Sequence, residues 1–161
     1  ERVMIVDWDV HHGNGTQDIF WEDSQVAFLS IHRWPFYPGT GRAEETGSGQ
    51  GCGTTRNIPL PLGTSRTSYL DQFRRGLELL AAKHRPELIL LSAGFDAHQE
   101  DPIGSLGLTD EDFETLTRCV LDVAAVHCGG RVVSLLEGGY NPQALARCAK
   151  IHLNALLEDG D

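Results

Sequence analysis

Val6-Asp7-Trp8-Asp9-Val10-His11-His12-Gly13-Asn14-Gly15-Thr16 sets two carboxylates and an imidazole at every second position, where an apolar run gives way to glycine. The run itself is strand-sized, and Val3 to Asp9 is predicted as a β-strand. Successive strand side chains alternate between faces, so Asp7, Asp9 and His11 are expected to share one. Mixed carboxylate and imidazole donors suit a borderline cation such as zinc, and a catalytic zinc needs only three protein ligands. Two of those ligands stand here, and a third has to come from elsewhere. For an isolated D-x-H the plainer reading is an acidic strand end with a helix cap at Asn14. The rest of the chain favours the metal.

Outward from this strand, strand and helix alternate, the pattern of an α/β fold with a parallel sheet covered by helices on both faces. Further strands are predicted at Gln25 to His32, Arg56 to Leu60, Leu88 to Ala93 and Arg131 to Glu137. A short helix is expected over Thr16 to Trp21. A long one covers Thr67 to His84, with Tyr69, Leu70, Phe73, Leu77, Leu80 and Ala81 on one stripe, and Arg85-Pro86 ends it. Another opens at Thr109, with an acid three residues on as a loose capping box, and runs to about His127 before Gly129-Gly130. The last covers Pro142 to about Leu157, with proline where a first helical turn accepts it.

The 161 residues fit a single domain, and 40% hydrophobic residues with 22% charged ones support a packed core rather than disorder. No apolar run exceeds strand length, so no membrane partner is expected. The four cysteines, Cys52, Cys119, Cys128 and Cys148, form no C-x-x-C pair and read as reduced thiols of a cytoplasmic protein, with a nucleus also open to a eukaryotic one. A net charge of −10 argues against an electrostatic grip on nucleic acid and is compatible with a basic substrate such as a lysine-rich tail.

In open parallel sheets, ligands sit beyond the carboxyl ends of the strands. Three such ends are loaded: Asp7, Asp9 and His11 after the first strand, Ala93-Gly94-Phe95-Asp96-Ala97-His98 after the fourth, and Glu137-Gly138-Gly139-Tyr140-Asn141 after the fifth. Asp96 is the natural third ligand, since a turn with Asp101-Pro102 separates it from the helix it would otherwise cap. Tyr140 follows a Gly-Gly that lets the chain turn sharply, which suits a phenol donating to an oxyanion. The segment Arg33 to Thr55 is too long and glycine-rich for an idle connection, and Trp34, Phe36 and Tyr37 in it either wall a pocket mouth or pin the loop to the core.

These residues resemble those of the zinc-dependent histone deacetylase family, in its class II branch and bacterial relatives. D-W-D-V-H-H-G-N-G, S-I-H-R followed by Y-P-G-T-G, S-A-G-F-D-A-H with D-P-I-G, and L-E-G-G-Y-N stand in the family's order, from Arg2 to about Leu157. The resemblance implies an arginase/deacetylase α/β fold and hydrolysis of the acetyl amide on lysine side chains of proteins or peptides. By matching positions it implies zinc on Asp9, His11 and Asp96, and Tyr140 as the residue that stabilises the tetrahedral intermediate. It also implies a structural potassium at Asp7 and Ser30, with main-chain oxygens of Asp9, His11 and Ile31. A second potassium would involve main-chain oxygens of Phe20, Asp23 and Val26. Tyr37 takes the place of a tunnel wall, Ile103 that of an apolar rim residue, and Gly138 and Gly139 line the tunnel. Asn14 stands where many relatives carry Asp and would orient a histidine without charging it.

The family's water-activating pair of histidines lies in a motif that precedes the first strand seen here, and His11-His12 is not that pair. His11 belongs to the metal and His12, on the other face, to the core. The chain is therefore expected to be the C-terminal half of a catalytic domain, partnered by the missing N-terminal half, with an exposed apolar surface and little activity alone. Two other readings compete with a protein-lysine deacetylase. One is a deacetylase of acetylated polyamines or other small amides, which an acidic residue at the rim would favour and Ile103 disfavours, although Glu100 and Asp101 lie close by. The other is a non-catalytic metal-binding or interaction fragment.

Overall fold

All five expected strands form and pair in parallel, in the order β3-β2-β1-β4-β5. The computed structural model describes residues 1–158. Along the chain run β1 (Val3–Asp7), α1 (Asn14–Ile19), β2 (Val26–Arg33), a single 3-10 turn (Gly49–Gly51), β3 (Thr55–Leu60), α2 (Arg66–His84), β4 (Leu88–Ala93), α3 (Asp110–Cys128), β5 (Val132–Leu136) and α4 (Pro142–Glu158). From β1 the chain steps outward through β2 to β3, and α2 then carries it back to β4 on the other side of β1. The order reverses between β1 and β4, and in such sheets the crevice beyond that pair of carboxyl ends is where a ligand fits.

The helix boundaries follow local chemistry. The Ser65 hydroxyl accepts from the Ser68 N–H at 3.2 Å to cap α2, and Arg85, left-handed at φ 52° before Pro86, closes it. At the start of α3 the Asp112 carboxylate accepts from the Thr109 N–H at 2.8 Å, and Gly129 at φ 60° ends the helix. The short helix α1 starts two residues earlier than the pattern predicts and ends two earlier. A Cβ at Gly13 would collide with the Asp7 carboxylate, so only glycine lets the chain double back this soon after β1.

One face of the sheet packs on α2 and α3 through Met4, Val6, Leu29, Ile31, Ile89 and Leu91 against Phe73, Leu77, Phe113, Leu116 and Val120, all buried. Burying each such side chain stabilises by about 1.5–3 kcal/mol, which makes this face the main source of stability. α4 packs against α3. The expected coverage of both faces is only half met. On the other face α1 and the loop after β2 cover β1 to β3, where Phe28, Ser30 and Asn57 are buried, but β4 and β5 leave Val133 and Leu135 each 50% exposed. The anticipated exposed apolar surface lies here.

Candidate active site at the carboxyl ends of β1 and β4

The sheet register puts Asp7 opposite Ser30 on one side and Ser92 on the other. β1 stops at Asp7, two residues short of the predicted end, so the alternation that grouped Asp7 with Asp9 and His11 does not continue. The reason is a pair of side-chain to backbone bonds: Asp7 Oδ1 accepts from the Asp9 N–H at 3.0 Å, and Asp9 Oδ1 accepts from the His11 N–H at 2.8 Å. Each gives the backbone an alternative to the strand ladder and curls it over the sheet end. Asp7 stays beneath, buried against Gly13 and Phe28, while Asp9 and His11 reach the crevice.

Asp96 arrives from the loop after β4. Its Oδ1 accepts from the Val10 N–H at 2.8 Å, which locks this loop to the one after β1. Ligand atoms of Asp9, His11 and Asp96 lie within 4.8 Å of one another. His11 Nδ1 sits 2.9 Å from Asp9 Oδ1 and 3.2 Å from Asp96 Oδ2. The single proton on that nitrogen bonds to Asp9, and Asp96 Oδ2 is left buried with no hydrogen-bond partner. A buried carboxylate oxygen without a partner is costly. The Asp96 carboxylate, followed by that of Asp9, pushes the imidazole up to about 9. Two acids thus hold a proton at the point where three donor atoms converge, and the donor set fits a divalent cation of zinc type.

The loop after β5 closes the site. Asp9 Oδ2 accepts from the Gly138 N–H at 2.8 Å, and a Cβ at Gly138 would strike both Asp9 Oδ2 and Asp96 Oδ2. Tyr140 follows, with its ring centroid 6.4 Å from that of His11, edge to face. Its phenol makes no hydrogen bond among the described residues, and the residue is 48% exposed. Burial, followed by the charges of Asp96 and Asp9, raises its pKa.

Tyr37 and Ile103 are 76% and 52% exposed, and Tyr37 lies 6.1 Å from His11 between ring centroids. Sequence reasoning singled out Tyr37 and left Phe36 among the loop aromatics, yet Phe36 stacks on the His11 ring at 5.2 Å and 17°. Arg33 backs it, its guanidinium 4.3 Å over the Phe36 ring. The loop after β2 is held by a polar network: His12 bonds Thr40 and Gln17, and Gln17 bonds Glu45 and Asn57. His12 is buried as expected, though among polar partners. His32 and His98 are buried too. His32 is fixed by Ser30 and Gly41, and His98 by Asp110.

Beneath the triad, burial drives the Asp7 carboxyl well above its ordinary range, with the Asp9 charge next in effect. Burial, with His12 adding to it, takes His32 down to about 4. It is therefore neutral, and with Nε2–H donating to the Gly41 carbonyl, its Nδ1 accepts from the Ser30 hydroxyl. That leaves the Ser30 lone pairs free on the face shared with Asp7. Around the start of β2, the Phe20 carbonyl accepts from the Asp23 N–H at 3.1 Å and the Asp23 carbonyl from the Thr54 hydroxyl at 3.4 Å, with Val26 in register beside Val3. Asn14 is exposed, and its side chain bonds no histidine among the described residues.

Comparison with known proteins bears on this geometry. The Histone deacetylase domain model matches residues 1–156. The chain belongs to the histone deacetylase domain family. A probable deacetylase of Archaeoglobus fulgidus is 48% identical over 141 residues, which are 88% of this chain and 39% of that protein. Among solved structures, the HDA15 HD domain superposes with a TM-score of 0.90 at 38% identity, covering 98% of this chain and 44% of that one. An acetylpolyamine aminohydrolase from Burkholderia pseudomallei superposes with a TM-score of 0.85 at 32% identity, covering 96% of this chain and 44% of that one. This histone deacetylase domain sequence thus spans less than half the length of these proteins and shares their arginase/deacetylase fold. Four free cysteines accompany it, three of them buried.

Proposed function

We propose that this chain contributes the metal-binding part of a protein-lysine deacetylase site. The observation that carries the reading is the partnerless Asp96 Oδ2 facing His11 and Asp9 below the ring of Tyr140. Asp9, His11 and Asp96 would hold zinc, which when bound polarises an acyl carbonyl and lowers the pKa of a bound water toward about 7. Tyr140, with its phenol free of other partners, donates to the oxygen that turns negative as the amide is attacked. Phe36 and Tyr37 flank the entrance and suit the apolar stem of a neutral acetyl-lysine better than the free amine. Potassium beneath the zinc, on Asp7, Ser30 and the main chain of Asp9, His11 and Ile31, would neutralise the buried Asp7 carboxylate. A more peripheral potassium at Phe20, Asp23 and Val26 belongs to the same reading.

His12, His32 and His98 are each committed to other partners, so none serves as the base. We assign that role to a part of the catalytic domain outside this chain, which spans 39% of its Archaeoglobus fulgidus relative, and place that part on the N-terminal side. The same part would cover Leu90, Val133 and Leu135. A cytoplasmic or nuclear setting goes with this reading. The likeness to an acetylpolyamine aminohydrolase makes acetylated polyamines the competing substrate class. Against them, the two acids near the rim are engaged. Asp101 spends its oxygens on three backbone N–H groups, and Glu100 pairs with Arg147 at 3.1 Å. Turnover of an acetyl-lysine peptide and an acetylated polyamine by the full-length protein decides between them. A kcat/KM at least about 10-fold higher on the peptide is expected, and the reverse order would move the substrate to the polyamine class.

A further inference from the structure

Asp101 is buried, although Glu100, Pro102 and Ile103 around it are exposed. A carboxylate turned inward from an exposed turn has to be repaid by hydrogen bonds, and this one is. Its Oδ1 accepts from the N–H groups of Ile103 and Gly104, both at 2.9 Å, and its Oδ2 accepts from the N–H of Tyr140 at 2.8 Å. One side chain therefore binds two loops: the turn that follows Asp96, and the segment that carries the phenol. The neighbouring residue repeats the stitch, since Asn141 Nδ2 donates to the Glu100 carbonyl at 3.0 Å.

Tyr140 depends on such a fixture. Gly138 and Gly139 precede it, and Gly139 at φ 150° occupies backbone space that side chains rarely adopt, so local sterics do not set the direction of the chain. The phenol is half exposed and without a hydrogen bond among the described residues, so packing does not lock it either. What places its Cα over the triad is the anchored backbone on either side, and the bond at Tyr140 itself goes to Asp101.

We infer that Asp101 is the positioning residue for Tyr140, holding its backbone so that the phenol stands over Asp9, His11 and Asp96. The inference rests on the proposed role of Tyr140, and it extends to the tunnel wall. The Gly104 carbonyl, in the turn that Asp101 ties, accepts from Arg33 at 2.8 Å, and Arg33 lies on Phe36. A loosened turn would thus disturb KM through Phe36 and kcat through Tyr140.

The test uses the full-length protein and Asp101→Asn, which keeps the shape but replaces one accepting oxygen with a donor. Displacement of a reacting group by about 1 Å costs up to about 10²-fold, so a kcat loss of about 10-fold or more is expected, with zinc still bound and the Tm lowered only in part by the lost hydrogen bond. In a Tyr140→Phe background the same change should cost less than about 2-fold further in kcat, because the group it positions is gone. A loss that persists undiminished in that background would overturn the inference. Fluorotyrosine placed at position 140 supplies a second measurement: its 19F resonance should shift or broaden in Asp101→Asn, and an unchanged resonance would overturn the inference. This holds whether or not the protein cleaves acetyl-lysine, so failure of the proposed activity and failure of the positioning role are told apart. If Asp101→Asn does not fold, amide exchange in the wild type decides. A Tyr140 N–H bonded to a buried carboxylate should exchange at least about 10²-fold slower than a free one, and exchange at the free rate would overturn the inference.

Discussion

The trio of Asp9, His11 and Asp96 and the trio of His98, Asp110 and Cys148 are made of similar donors, and each gathers its atoms within 4.8 Å. They differ in what those atoms already do. In the first, Asp96 Oδ2 accepts no hydrogen bond among the described residues and has only His11 Nδ1 facing it, at 3.2 Å, and the two acids, Asp96 foremost, push that imidazole up to about 9. In the second, every donor is spent. His98 Nδ1 accepts from the Glu100 N–H at 3.1 Å, so its proton sits on Nε2 and goes to Asp110 at 2.9 Å. A metal on Nε2 would force that proton onto Nδ1, against another N–H. Arg147 grips Asp110 Oδ2 at 2.8 Å, and burial pushes the Cys148 thiol up to about 12. The difference teaches that proximity of ligand types marks a candidate, and that an acceptor left without a hydrogen bond makes the first trio the stronger of the two. The second trio is a fastening between the loop after β4, α3 and α4.

The sharpest way to break the comparison is to remove a donor from each. Asp96→Ala in the full-length protein should abolish bound zinc and deacetylation together, by at least about 10²-fold in metal affinity, since a lost ligand costs more than the 10–100-fold of a second-shell partner. Cys148→Ser should keep both. Zinc analysis of the two purified variants checks this, and metal loss from Cys148→Ser would turn the second trio into a site.

A smaller effect contrasts histidines of opposite character. Burial lowers His32 and His152 to about 4 from an ordinary 6.5, whereas His11 is raised. For the lowered pair the unfolded chain binds more protons between those two values, so their contribution is fully present above about pH 6.5 and is lost as pH falls toward 4. On the order of 3 kcal/mol per histidine is at stake at the lower limit. Urea melts from pH 7.5 to 4 should show the loss, and His152→Asn should flatten part of it. A profile unchanged by that substitution would remove His152 from the account.

The smallest expected effect is Asp110→Asn. It weakens the fastening by roughly 1–2 kcal/mol, since Arg147 and His98 keep a neutral acceptor, and bound zinc stays unaltered. A loss beyond about 4 kcal/mol would mean that the Arg147 contact is far more protected from water than its half-exposed side chain suggests.

Much of the architecture was legible in the chain because it rests on local patterns. Strand-sized apolar runs, the Arg85-Pro86 stop and the Gly129 stop each act within a few residues, and boundaries at most two residues out are what such signals allow. Asp9, His11, Asp96 and Tyr140 could be picked out as candidates because each stands just past a predicted strand end, where a parallel sheet presents its ligands. Phe36 was legible only as one of three aromatics that either wall a pocket mouth or pin the loop, and Asp101 only as an acid near the rim, because what decides their parts is a partner 25 or 39 residues away: His11 for the first, the Tyr140 N–H for the second.

The sequence by itself determined the strand-sized runs, their alternation with helices and the residues just past each strand end, since these are written in local composition; the strand order that sets two carboxylates, an imidazole and a phenol side by side is not. Only the tertiary structure decided how the chain departs from that pattern. β1 ends at Asp7 because aspartate side chains capture the next N–H groups, and this separates Asp7 from Asp9 and His11. Three helices share one face and leave β4 and β5 uncovered on the other. It also settled which of two similar trios keeps a donor free. Periodicity says where side chains point, but a lone pair is free or taken according to which distant N–H the fold delivers to it.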